Sequence, residues 1–163
     1  MQQLSLFEEE NTIKTCAFTG HRNLEKDFSK KALKEAIISV IKEGAEIFYC
    51  GMAVGFDLCA AELVLSLKKK YPHIRLIACI PCLGQEKYFS KTDQKRYVNA
   101  VKKADEQVVL AQGYFNGCMQ ARDKYMAERA DALIAYCKRQ TGGTAYTVRI
   151  FQKLQPRGKI IFV

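Results

Sequence analysis

The chain has 163 residues, 48% of them hydrophobic, which supplies one core of ordinary size and is short for two domains. No apolar run approaches the roughly 20 residues of a membrane helix, and "MQQLSLFEEENTIK" lacks the basic-then-apolar build of a secretory signal, so a soluble, cytoplasmic protein with no membrane partner is expected. Twenty-six Lys and Arg against seventeen Asp and Glu give a net charge of +9, which favours anionic partners without choosing among nucleotides, nucleic acid and acidic proteins.

The first dozen residues are polar and read as a loose tail, leaving one domain over residues 13–163. "TIKTCAF" is short, partly β-branched and stops at a glycine, which predicts a first strand over residues 13–18. In "SKKALKEAIISVIKEGA", Leu33, Ile37, Val40 and Ile41 recur at helical spacing, and Gly44 is a stop. "EIFYCG" and "DLCAAELVLSLKKKYP" repeat the strand-then-helix pattern, the second helix closed by Pro72, and "IRLIACIP" is a third strand ended by Pro81. A helix over "DQKRYVNAVKKA", a strand at "EQVVLA", a helix at "CMQARDKYMAERA", a strand at "DALIAYC", a helix at "TAYTVRIFQKL" and a closing strand at "KIIFV" complete the chain. Such alternation predicts a three-layer α/β sandwich with a mainly parallel sheet and right-handed crossovers. Ligands then belong at the carboxyl ends of the strands, where the strand order reverses.

The strand ends carry the candidate site. After the first strand come Thr19, Gly20, His21 and Arg22: the glycine admits a sharp turn, His21 can donate, and the Arg22 fork suits phosphate or carboxylate. The bland alternative is a plain turn with Arg22 paired to a surface acid. The second strand ends in "CGMAVGFD", where Gly51 and Gly55 flank small residues and Met52 ahead of a helix, a pattern suited to phosphate at a helix amino terminus. Asp57 caps that helix or holds a ribose hydroxyl. The spacing matches neither GxGxxG nor GxxxxGK[ST], which disfavours a nicotinamide dehydrogenase or a Walker-type ATPase. Beyond the third strand, Gln85 suits a base edge and Tyr88 suits stacking, unless Tyr88 is a half-buried packing residue. Arg122, near the start of its helix, can reach the strand edge, whereas Arg129 and Asp131 read as ordinary helix-end charges. "TGGT" contributes Gly142, Gly143 and Thr144 as a second anion cradle or a plain flexible turn. The seven cysteines are odd in number and mostly lie in apolar segments, as reduced thiols do. Cys79 and Cys82 form a CxxC without a second pair or clustered histidines, which disfavours zinc or redox chemistry.

Taken in order, "TGHR", "CGMAVGFDLCAAE", "IPCLGQ", "ARDKYMAERAD" and "TGGTAYTVR" resemble the SLOG superfamily, related to the LOG phosphoribohydrolases and the DNA-processing protein DprA, and within it the YpsA-like group (DUF1273). The resemblance covers about residues 13–163. It implies a Rossmann-like fold, homodimers, and strand-end loops that bind a nucleotide or nucleotide-derived ligand similar to NAD or ADP-ribose, with no certain cofactor. It places Gly20, Arg22, Gly51, Gly55, Asp57, Gln85, Arg122, Gly142, Gly143 and Thr144 around that ligand. The phosphoribohydrolase branch resembles PGGxGTxxE, whereas "TGGTAYTVR" has no preceding proline and carries Thr147 or Val148 near the place of the glutamate. Hydrolysis of an N-glycosidic bond would then need Asp57 or Glu62 as a substitute carboxylate. DprA-like nucleic-acid binding requires lysines gathered on one face, and the sequence spreads them over several helices.

Overall fold

The computed structural model describes residues 12–163. All but the last residue of the expected amino-terminal tail thus lie outside the described residues. Six strands alternate with five α-helices: β1 (Thr15–Gly20), α1 (Lys30–Lys42), β2 (Ile47–Cys50), α2 (Phe56–Leu67), β3 (Arg75–Ile80), α3 (Lys91–Lys103), β4 (Glu106–Val109), α4 (Cys118–Arg129), β5 (Ala132–Tyr136), α5 (Gly143–Leu154) and β6 (Lys159–Phe162). A 3-10 helix, Gln85–Tyr88, precedes α3. Every strand pair is parallel, and the sheet order is β4-β3-β2-β1-β5-β6.

This order explains the layering. Three successive crossovers step one way from β1 to β4, and right-handedness keeps their helices on one face. The chain then returns past β1 to β5 and steps the other way, which puts α4 and α5 on the opposite face. The core divides accordingly: Leu33, Ile37, Phe56, Val64 and Tyr97 pack on one side of the sheet, and Met126, Ala127, Val148 and Phe151 on the other. The Rossmann-like three-layer α/β architecture follows.

The first strand runs two residues further than its apolar pattern predicts. Parallel pairing with β5 continues through Thr19↔Ala135 and Gly20↔Tyr136, so the backbone ladder carries Thr19 and even Gly20, a weak strand former, into the sheet. Helix α2 ends at Leu67, ahead of Pro72, because Lys68–Tyr71 close in turns, with the Tyr71 amide donating to Leu67 O at 2.8 Å. Asp131 is more than a helix-end charge. Its Oδ2 accepts from the amides of Lys14 (2.9 Å) and Thr15 (3.1 Å), fixing the start of β1 beside β5. Asp105 does the same before β4, accepting from the Leu76 amide at 2.8 Å. The amino-terminal edge of the sheet is thus stitched by aspartates, and the opposite edge carries the glycine loops.

Gly20 has a packing reason to lack a side chain. A Cβ there would lie 2.2–2.5 Å from the Phe56 side chain, which is fully buried and contacts the rings of Phe18, Phe28 and Tyr136. Gly20→Ala is expected to destabilise the fold by about 1–3 kcal/mol through overpacking. In urea denaturation, adding Phe56→Leu to Gly20→Ala should recover part of that loss; a strictly additive double variant would contradict the clash.

Candidate functional site

The strand order reverses between β1 and β5, and a cleft of about 360 Å³ opens there at the carboxyl edge. The cleft brings together Thr19, Gly20, His21, Arg22, Asp57, Arg122, Gly142, Gly143 and Thr144, contributed by four separate loops and helix starts. Gly51, Met52, Gly55 and Gln85 fall outside its lining. Asn23, Met119, Asp123, Arg139 and Thr141 join it although their motifs did not single them out. The signal for Arg139 was its place three residues past the end of β5, at the switch point itself.

The glycines serve different ends. Gly55 has φ +78°, and a Cβ on it would lie 2.1 Å from Arg22 O, so the start of α2 is pressed against the loop after β1. The Phe56 amide donates to His21 O at 3.2 Å, which uses up a first-turn donor of α2 within the protein. A Cβ on Gly51 would lie 2.5 Å from the Arg122 guanidinium. Met52, fully buried, holds the left-handed φ of 61° that the same tight loop demands. In contrast, among the described residues nothing lies within 4 Å of the Cβ positions of Gly142 (φ +95°) and Gly143. The first turn of α5 has no side-chain cap, so its amides and positive dipole end face the cleft.

His21 bridges β1 and β5. The Lys138 amide donates to its Nε2 at 2.8 Å, so Nε2 is an acceptor and the neutral ring carries its proton on Nδ1, 3.4 Å from Thr144 Oγ1. Burial, with Arg139 adding to it, holds the His21 pKa below its ordinary value. His21 therefore donates to Thr144 rather than to a ligand, and leaves the Thr144 hydroxyl proton to point elsewhere.

Arg122 is 6% exposed and its fork is engaged: Nη1 donates to Gly51 O at 2.6 Å and Nε to Asp123 Oδ1 at 2.7 Å. It clamps α4 to the end of β2 while setting a buried positive charge under the cleft. Asp57 is the counterpart. Its Oδ2 accepts from the Ala53 amide at 3.2 Å, while Oδ1, buried, has no hydrogen-bond partner among the described residues. Burial raises its pKa from 3.8 to about 6, against the opposing pull of Arg122. Glu62, the other candidate carboxylate, is bound by Arg96 of α3 and does not line the cleft.

A second chamber of about 790 Å³ adjoins the first and shares Arg22, Ala53 and Met119 with it. Gln85 lines this chamber, its Nε2 donating to Gly51 O at 3.2 Å. Tyr88 stands at its wall 89% exposed, so it is no packing residue.

The profile of the YspA SLOG family (YpsA) matches residues 16–161. The chain belongs to that family. Members similar to it include UPF0398 proteins of Halalkalibacterium halodurans, 30% identical over 83% of this chain and 72% of the relative, and of Bacillus subtilis, the protein YpsA, 24% identical over 86% of each. Among solved structures, the fold is similar to DNA processing protein A of Helicobacter pylori (TM-score 0.66, 19% identity, 93% of this chain) and of Streptococcus pneumoniae (TM-score 0.64, 16% identity, 91% of this chain). The chain spans 65% and 50% of those two longer chains. The family's Rossmann-like fold is thus present here, with its switch-point cleft lined as described.

The Asp57 environment gives a pH-dependent prediction. Its folded pKa lies above its unfolded one, so the folded state holds the extra proton between pH 3.8 and about 6, and stability falls as pH rises through that window. Asp57→Asn, which removes the buried charge, is expected to stabilise the protein by about 1–3 kcal/mol above pH 7, with the gain vanishing towards about pH 4. Denaturant midpoints measured across that range check it; a variant equally stable or weaker at every pH would contradict the burial of an uncompensated carboxylate.

Proposed function

We propose that the cleft binds a phosphorylated sugar ligand of the nucleotide class, similar to AMP, NAD or ADP-ribose. The observation that carries this reading is the pairing of opposite demands in one small space. The open first turn of α5, Arg22 and Arg139 call for an anion. Asp57 Oδ1, buried and unpartnered, calls for a hydrogen-bond donor. Phosphate alone meets the first demand and is repelled by the second. A sugar phosphate meets both, its phosphate on the Gly142–Thr144 amides and a hydroxyl on Asp57.

Membership of the SLOG family and the fold likeness to DprA support binding of a nucleotide or nucleic acid in general. The Helicobacter pylori DprA is described as binding single-stranded DNA. The small-ligand reading is favoured for this chain because, of its 26 Lys and Arg, the cleft is lined by Arg22, Arg122 and Arg139, while the lysines lie elsewhere. A polymer would need a basic track along its backbone. Glycosidic cleavage is less well supported. Thr147, buried near the place of the hydrolase glutamate, donates to Gly143 O at 2.9 Å, and Asp57 would be left to act alone.

Thermal unfolding with ribose 5-phosphate, AMP and ADP-ribose tests the reading. At about 100-fold excess over Kd a ligand should stabilise by about 2.7 kcal/mol, a rise of several degrees in Tm. Gly143→Asp, which sets a carboxylate in open space at the cradle, should leave the ligand-free Tm nearly unchanged and abolish the shift. If none of the three ligands moves the wild-type Tm, the reading fails.

A further inference from the structure

We infer that the chamber beside the cleft is a nucleobase subsite, in which Tyr88 and Tyr114 receive the planar ring of a ligand whose phosphate rests on the α5 cradle. The inference builds on the phosphorylated-ligand reading and assigns a function to a part of the surface which that reading leaves unused.

The two spaces adjoin. Arg22, Ala53 and Met119 line both, so the cleft and the chamber are separated by no more than the side chains they share. Their chemistry differs. The cleft is built from glycines, threonines and charges, whereas the chamber presents Val54, Leu83, Phe89, Tyr88 and Tyr114. Three of these are large side chains held out in water: Tyr88 is 89% exposed, Tyr114 74% and Leu83 52%. Exposed aromatic rings around a concavity of about 790 Å³ suit a flat, partly apolar group.

Lys87, the shared Arg22 and Asp93 are the charged residues that line the chamber, and Lys87 Nζ lies 5.6 Å from the Tyr88 ring centroid. A π-system with polar edges fits this mixture better than an aliphatic chain, which has nothing to offer the cations. The loops are also placed independently. Tyr88 closes the 3-10 helix after β3, and Tyr114 lies in the loop after β4, tied to it by the Leu83 amide donating to Ala111 O at 3.1 Å. Two strands' loops thus contribute rings to the same chamber, Tyr88 and Phe89 from one and Tyr114 from the other, which the sequence order alone does not require. Gln85 serves as its hinge to the cleft, because Gly51 O accepts from both Gln85 and Arg122.

Calorimetric titration with ribose 5-phosphate and with AMP separates the two parts of the ligand. The wild type should bind AMP at least about ten-fold more tightly than ribose 5-phosphate, as expected of one stacked base. Tyr88→Ala and Tyr114→Ala should each reduce that advantage several-fold and leave ribose 5-phosphate binding unchanged, and Tyr88→Phe, which keeps the ring, should retain it. Both tyrosines are exposed, so the variants should fold. Equal affinity for the two ligands, or tyrosine variants that weaken both alike, would overturn the subsite while leaving the cleft intact. Failure of ribose 5-phosphate and AMP alike would remove the cleft reading and the subsite with it. Tyrosine-dependent binding of oligothymidylate without AMP binding would reassign the chamber to single-stranded nucleic acid, and a tyrosine-dependent change in sedimentation alone would make it a self-association face; either overturns the proposal.

Discussion

The reversal of strand order between β1 and β5 is the constraint on which the site depends. Because every crossover in a parallel sheet is right-handed, the chain leaving β1 turns to one face and the chain leaving β5 turns to the other. The loops that follow these adjacent strands must part, and the cleft opens between them at the carboxyl edge of the sheet. His21 spans the gap with its bond from the Lys138 amide, Arg122 reaches in from α4 on one side, and Asp57 from α2 on the other. The cleft is a consequence of topology before any of its residues is chosen.

What the residues then supply is an unusual charge arrangement. A buried arginine commits Nε to Asp123 and Nη1 to Gly51, which fixes its guanidinium and its charge at the wall of the cleft. A buried carboxylate keeps one oxygen without a hydrogen-bond partner among the described residues and has its pKa lifted to about 6. Both are costly to the fold. The same tension separates the glycines. Gly20, Gly51 and Gly55 are small because Phe56, Arg122 and the backbone of Arg22 press on them, whereas Gly142 and Gly143 look into open space.

The alternation of apolar segments made the architecture legible from the sequence, and the glycine-terminated strands marked the edge at which the cleft opens. Strand β1 was placed at 13–18 and lies at 15–20, shifted by two residues at both ends, because its extent follows pairing with β5, a partner more than a hundred residues away. The "CGMAVGFD" motif looks the stronger phosphate signal, yet its glycines are spent on internal contacts. The weaker "TGGT" is the turn left uncrowded at the cleft. Spacing shows that a glycine is present and cannot show what stands opposite it. Asp131 read as a helix-end charge because its partners, the Lys14 and Thr15 amides, lie across the sheet. Arg139 and Tyr114 passed unnoticed for a similar reason: neither sits in a motif, and only the strand order brings them to their chambers.

A titration of the isotope-labelled protein with AMP, followed through its backbone amide resonances, tests most directly whether one cleft gathers these loops around a ligand. Saturable shifts centred on residues 20–22, 53–57 and 142–144, strongest at Gly143 and Thr144, are the predicted result. Shifts confined to the lysine-bearing faces of α1 and α3, or none at the Gly142–Thr144 turn, would contradict a phosphate site at the β1/β5 switch point.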